Sequence, residues 1–140
     1  MNVIITGVSK GLGLETTKLL LSEGYTVYGI SRSSTQELEK LKEKHKEKLK
    51  HILFDIGNTK EIRDVIFKNW IGFDTPIHGL VNNAAIAYDD IATNLNIEPL
   101  EDMFNINVYA PFTLTKFSIR HMLLHNNPGS IIHISSISVH

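Results

Sequence analysis

The stretch Val3-Ile4-Ile5-Thr6-Gly7-Val8-Ser9-Lys10-Gly11-Leu12-Gly13 decides how the rest of the chain is read. Val3 to Thr6 is short, apolar and β-branched, which predicts a strand. Three glycines then stand in a turn, and the residues after them, with Leu12, Leu19 and Leu20, predict a helix that stops at Gly24. Glycine in a strand-to-helix turn lets the backbone bend tightly. It also lets an anion approach the helix N-terminus, where free N–H groups and the dipole favour negative charge. Glycine turns serve close helix packing as well, so the motif takes its weight from its surroundings.

Those surroundings alternate short apolar runs with segments of helical period, the pattern of βα units on a parallel sheet. A second strand is expected over Thr26 to Ile30. A helical segment follows over Gln36 to Lys50, with Leu38, Leu41, His45 and Leu49 at helical spacing between six lysines and four glutamates. A third strand is expected over His51 to Asp55. Asn58 with Glu61 predicts a capped helix whose Ile62, Val65, Ile66 and Trp70 share a face. Pro76 leads into a fourth strand over His78 to Asn82. A long helix is expected from near Pro99 towards His125, with Leu100, Phe104, Val108, Phe112 and Leu124 among its apolar positions. Pro128-Gly129 turns the chain into a fifth strand, Ser130 to Ser135, whose Ile131, Ile132 and Ile134 suit burial on both faces. The expectation is one α/β domain over residues 1–140: a Rossmann-like doubly wound parallel sheet of strand order 3-2-1-4-5.

Composition narrows the classes. The 140 residues carry 14 basic and 15 acidic side chains, a formal charge of −1 and no cysteine. Disulfides and thiolate zinc sites are excluded, and no global field draws the chain to nucleic acid or anionic lipid. No apolar run approaches the roughly 20 residues that cross a bilayer. Met1-Asn2 leads directly into the first strand without a basic and then apolar leader, from which a cytoplasmic location is expected. The lysine-rich segment from Lys40 to Lys50 is balanced by Glu37, Glu39, Glu43 and Glu47 and lacks aromatics, so it reads as a solvated helix face. His121 and His125 stand one helical turn apart with no third ligand evident, and they read as a solvated or packed face rather than a metal site. Met103 and Met122 read as core filling.

From the glycine turn onward the sequence resembles the short-chain dehydrogenase/reductase family, in its classical subgroup. Thr6-Gly7-x-x-x-Gly11-x-Gly13 has that subgroup's spacing, and three further matches follow in order. Asn82-Asn83-Ala84-Ala85 is similar to the family's Asn-Asn-Ala-Gly, with Ala85 in place of glycine. Asn107 matches the asparagine of the catalytic tetrad. Ser135-Ser136 matches the segment carrying the catalytic serine, Ser136 being the better aligned. Val139 stands where the family usually has glycine.

The resemblance implies an oxidoreductase moving hydride between a nicotinamide cofactor and a carbonyl or secondary alcohol, and an oligomer when full-length. Gly7, Ser9, Lys10, Gly11, Leu12 and Gly13 would hold the cofactor, with Asn83 beside it and Asp55-Ile56 at the adenine. An acid at the end of the second strand would bind the ribose hydroxyl of NAD and repel the extra phosphate of NADP. Ser31 and Arg32 stand there instead, and with Lys10 they favour NADP; both cations also read as ordinary surface charges. Asp55 also reads as a strand-end turn acid, Ser136 as a turn residue, and Asn82 as a tie between neighbouring strands. Ser136 would hydrogen-bond the substrate oxygen. Pro111 follows Asn107 by four residues and lacks an N–H, so the carbonyl of Asn107 loses its helical partner and a kink is expected. In the family the matching asparagine holds a water on the proton path; a helix break without function is the alternative.

One departure is large. The family's proton donor is a tyrosine with a lysine four residues later, downstream of the serine. Tyr25, Tyr28, Tyr88 and Tyr109 all precede Ser136, and none has lysine at that spacing. The expectation is therefore a parent enzyme that completes the site beyond His140, with the 140 residues alone inactive. A non-catalytic NADP-binding module and an inactive truncated fragment are the alternatives.

Overall fold

The computed structural model describes residues 1–136. Among them the strands are β1 (Asn2–Thr6), β2 (Thr26–Ser31), β3 (Leu49–Leu53), β4 (Gly79–Asn82) and β5 (Ser130–His133). They form one sheet of order β3-β2-β1-β4-β5 in which every pairing is parallel. The helices are α1 (Gly11–Ser22), α2 (Gln36–Lys44), α3 (Arg63–Ile71), and a long α4 built from Ile97–Phe104, Asn105–Tyr109 and Ala110–Leu124. The fold class and strand order expected from the sequence are those observed.

Alternation along the strands sorts side chains to two cores. Val3, Ile5, Val27 and Val81 pack with Leu14 and Leu21 of α1 and Leu38 and Leu41 of α2. Ile4, Ile30 and Leu80 face the other way and pack with Ile66 and Phe67 of α3 and Ala110, Leu114 and Met122 of α4. Burial on both faces is why the central strands read as unbroken apolar runs.

Several boundaries differ from the sequence reading. α2 ends at Lys44 instead of reaching Lys50, and β3 begins at Leu49 instead of His51. Beyond Leu41 a helix would bury nothing between its lysines and glutamates. Leu49 instead pairs with Val27 and becomes buried, so the sheet wins over helical spacing. Asn58 supplies no side-chain cap to α3: the turn closes through backbone bonds, Glu61 N–H to Asn58 O at 3.0 Å and Val65 N–H to Glu61 O at 2.8 Å. α3 is π-wound, and the wider turn puts Phe67 and Ile71 in the core beside Ile62 and Ile66, leaving Val65 and Trp70 half-buried. In α4 the core positions are Ile106, Ala110, Leu114 and Met122, whereas Phe104, Val108, Phe112 and Leu124 face outward, as do Leu12 and Leu19 of α1. Met103 is only half-buried, unlike Met122. In β5, Ile131 packs on the second core while Ile132 is exposed; the strand ends at His133, and Ile134 just beyond it is exposed too.

Candidate functional site

A cavity of about 320 Å³ opens at the carboxyl ends of β1 to β4, where the strand order reverses across β1 and β4. That switch point is where open parallel sheets leave a crevice for ligands. Gly7, Ser9, Lys10, Arg32, Asp55, Ile56 and Asn83 all line it. Gly11, Leu12, Gly13, Asn107 and Ser136 do not.

The glycine turn is built for close approach. A Cβ on Gly13 would stand 2.2 Å from the Gly7 carbonyl oxygen and 2.5 Å from Asn83 Nδ2, so only glycine lets α1 seat against β1. Gly11 has φ +58°, and a Cβ there would meet no protein atom within 4 Å. Its left-handed backbone therefore borders open space at the start of α1, where free N–H groups point outward. A phosphate fits that arrangement. Leu12, in the first turn of α1, is exposed.

Thr6 fastens the far wall of the turn to β4. Its hydroxyl oxygen accepts the backbone N–H groups of Asn83 and Ala84, each at 3.0 Å. In return Asn83 Nδ2 donates to the Thr6 carbonyl at 2.9 Å and to Gly7 O at 3.3 Å. Neighbouring Asn82 does tie strands together: its Nδ2 lies 3.3 Å from His133 Nδ1 on β5 and 3.4 Å from the Thr115 hydroxyl. Thr6 stands in the quoted motif, yet nothing in the motif's spacing distinguishes a hydroxyl that anchors the opposite loop.

At the end of β2, Ser31 Oγ donates to Ser33 O at 2.7 Å. A serine hydroxyl has one proton, so in its 2.8 Å contact with His51 the Nε2–H donates. Burial, with a contribution from Lys42, holds the His51 pKa below its ordinary value, against the opposing pull of Glu39. The ring is therefore neutral at physiological pH. Arg32 and Lys10 both border the cavity from exposed positions, and no carboxylate stands at the end of β2. The sequence places His51 only at the start of a strand; in β3 it stands third, opposite Gly29, where its ring reaches Ser31. Thr35, the cap of α2, links this side to the glycine turn by donating to Ser9 O at 2.8 Å. Asp55 is both a cavity wall and a turn acid, its Oδ1 accepting Gly57 N–H at 2.9 Å.

Asn107 lies in the π-wound middle of α4, where Ala110 N–H reaches back to Asn105 O. Its amide grips Ile86 at both ends: Oδ1 accepts Ile86 N–H at 3.0 Å and Nδ2 donates to Ile86 O at 2.7 Å. Ile86 lines the cavity, so Asn107 acts on the site through the loop after β4. Ser136 lies exposed beyond β5, two residues after Ile134, whose N–H donates to Asn82 O at 2.9 Å. It thus stands at the same end of the sheet as the cavity. Val139 falls outside the described residues.

A parallel 3-2-1-4-5 sheet with a glycine turn at its switch point defines a Rossmann-like α/β domain. The chain matches the short chain dehydrogenase family over residues 1–140 and belongs to it. It is 30% identical over 135 residues to L-xylulose reductase of Caenorhabditis elegans, covering 96% of this chain and 53% of the relative. It is 27% identical over 140 residues to carbonyl reductase [NADPH] 2 of Sus scrofa, covering all of this chain and 54% of the relative. Among solved structures, a short-chain dehydrogenase from Streptomyces avermitilis superposes with a TM-score of 0.85 at 27% identity, over 96% of this chain and 48% of that one. The chain spans about half the length of the curated relatives it matches.

Proposed function

We propose that this chain is the cofactor-holding, N-terminal portion of an NADP-dependent oxidoreductase acting on a carbonyl or secondary alcohol. The observation that carries this reading is the wall that unites the glycine turn with Lys10, Ser31 and Arg32 around one cavity and no acid at the end of β2. Resemblance to a relative named for NADPH supports the same cofactor.

When bound, the nicotinamide nucleotide supplies or accepts the hydride. The open N-terminus of α1 at Gly11 would hold its phosphates, Lys10 and Arg32 its 2′-phosphate, and Asp55-Ile56 its adenine. Asn83, tied to Thr6 and Gly7, would form the floor. Ser136 would hydrogen-bond the substrate oxygen and stabilise negative charge that develops there. Asn107 would keep the Ile86 loop seated, and its own carbonyl, facing Pro111 with no N–H, would hold a water on the proton path. The acid/base tyrosine and its lysine would come from beyond His140. A homo-oligomeric parent is part of the same proposal, as the family resemblance implies.

A second reading, a cofactor-binding module without chemistry, is favoured by one observation: no tyrosine in the chain has lysine four residues later. Both readings are tested on the chain as it stands. Calorimetric titration is expected to show NADPH binding at least about tenfold tighter than NADH, a difference of ~1.4 kcal/mol. Arg32→Asp is expected to level or reverse that preference. Equal affinity for the two nucleotides would overturn the NADP assignment. Turnover of generic carbonyls with NADPH should stay at background, and measurable activity would overturn the missing acid/base.

A further inference from the structure

We propose that His51 is a specificity-determining positioning residue: from the neighbouring strand it braces the turn after β2, so that Arg32 stands fixed to receive a 2′-phosphate. The role rests on the NADP reading of the cavity at the glycine turn and deepens it.

Arg32 is exposed, lines the cavity and, among the described residues, takes part in no ion pair. It stands on the turn between the end of β2 at Ser31 and the cap of α2 at Thr35. A charge on a loose turn must be ordered by each ligand it binds, and that lost entropy is subtracted from affinity. This turn is fastened at both ends instead. At the far end the Thr35 hydroxyl donates to Ser9 O at 2.8 Å and accepts the Leu38 N–H at 3.3 Å. At the near end Ser31 is 6% exposed, and its Oγ donates across Arg32 to Ser33 O at 2.7 Å.

The near fastening depends on His51. Parallel register sets His51 opposite Gly29, so His51, Gly29 and Ser31 share a face of the sheet. That face lies under the glycine turn, since a Cβ on Gly29 would stand 2.9 Å from Val8 Cγ2. With no side chain at Gly29 the diagonal from β3 to the end of β2 is open, and His51 Nε2 comes within 2.8 Å of Ser31 Oγ. The one hydroxyl proton of Ser31 goes to Ser33 O, so the imidazole N–H is the donor to Ser31. A hydroxyl that accepts a bond donates a stronger one, and the ring thereby steadies the Ser31–Ser33 bond that closes around Arg32. Without the ring, a buried hydroxyl would lose its donor and be free to turn its proton away from Ser33. His51 does not itself line the cavity, which makes it a support for Arg32 and not a ligand.

The test compares NADPH and NADH binding to the chain as it stands by calorimetric titration at neutral pH. His51→Leu, which fills space without a donor, is expected to lower the preference for NADPH over NADH at least about fivefold, the scale of one lost hydrogen bond. His51→Gln, whose amide can supply an N–H to Ser31, should recover most of the preference. In an Arg32→Ala background His51→Leu should change the preference no further, because the support acts only through the arginine. A preference kept by His51→Leu, equal weakening of both nucleotides, or a full effect on top of Arg32→Ala would each overturn the role of His51 and leave the NADP reading standing. Equal affinity of the unaltered chain for NADPH and NADH would overturn that reading and this role with it. If His51→Leu fails to fold, the ring-nitrogen NMR shifts of His51 in the unaltered chain decide: a protonated Nε2 is expected, and a bare Nε2 would overturn the bond to Ser31 and the role built on it.

Discussion

Thr6 is the residue on which the cavity floor turns, because one hydroxyl oxygen satisfies two backbone N–H groups of the β4 loop. Thr6→Val keeps the shape, removes the acceptor and leaves both donors facing an apolar wall. Each unsatisfied buried donor costs about 1–3 kcal/mol, so urea unfolding is expected to show a loss in that range or above, with NADPH binding weakened alongside. Thr6→Ser retains the oxygen and should recover most of both. An unchanged midpoint in the valine variant would mean that the loop is held by the Asn83 side chain alone. Of the residues picked from spacing and family resemblance, Gly7, Asn83 and Asp55 line one cavity, whereas Gly11 and Gly13 do not. The Ser31–His51 bond was not legible, since its partners lie 20 residues apart on neighbouring strands.

Among the elements, α4 shows how a single proline reshapes a helix. Pro111 cannot donate to the carbonyl of Asn107, and the winding around Asn107 is π rather than α. The turn carries the Asn107 amide onto Ile86. Pro111→Ala restores an N–H and is expected to let the turn rewind, rotating Asn107 off the loop. Hydrogen exchange at the Ile86 amide should then rise by about tenfold, equal to ~1.4 kcal/mol of lost protection, while the helix itself loses no stability. Unaltered exchange at Ile86 would show that the π turn is imposed by core packing of Ile106 and Ala110 instead. The proline signal was readable from the sequence. The end of α2 was not, because helical spacing continues past Lys44 while the sheet has already claimed Leu49.

For the whole molecule, His51, His78 and His121 all have pKa values pushed below the ordinary histidine value, in each case first by burial. Their neutral forms are favoured in the folded state. As pH falls through about 6.5 the unfolded chain takes up protons that the folded chain refuses, so stability is complete above that value and declines below it, down to the folded pKa values. Urea midpoints should therefore fall between pH 7.5 and 5.5. His121→Phe should flatten that dependence by less than one proton equivalent, since two of the three histidines remain. A midpoint independent of pH across that window would contradict the direction assigned to all three.

The order of strands and helices, the parallel sheet and the position of the glycine turn were determined by the sequence alone. Periods of 2 and 3.6, turn glycines and helix-ending residues are local properties that each segment carries with it. Which apolar residues became core, where α2 gave way to β3, and which polar groups met were decided by the tertiary structure. Phe112, an apolar residue of α4, is 71% exposed, whereas His121 nine residues on is buried between Phe67 and Phe73. Both sit on a helix of mixed apolar faces, and only the approach of α3 and the sheet selects the side that loses water. A second cavity, between α3 and α4, has the same origin: Arg63 and Arg120 are 57 positions apart, and their shared pocket exists because two helices pack side by side on one face of the sheet.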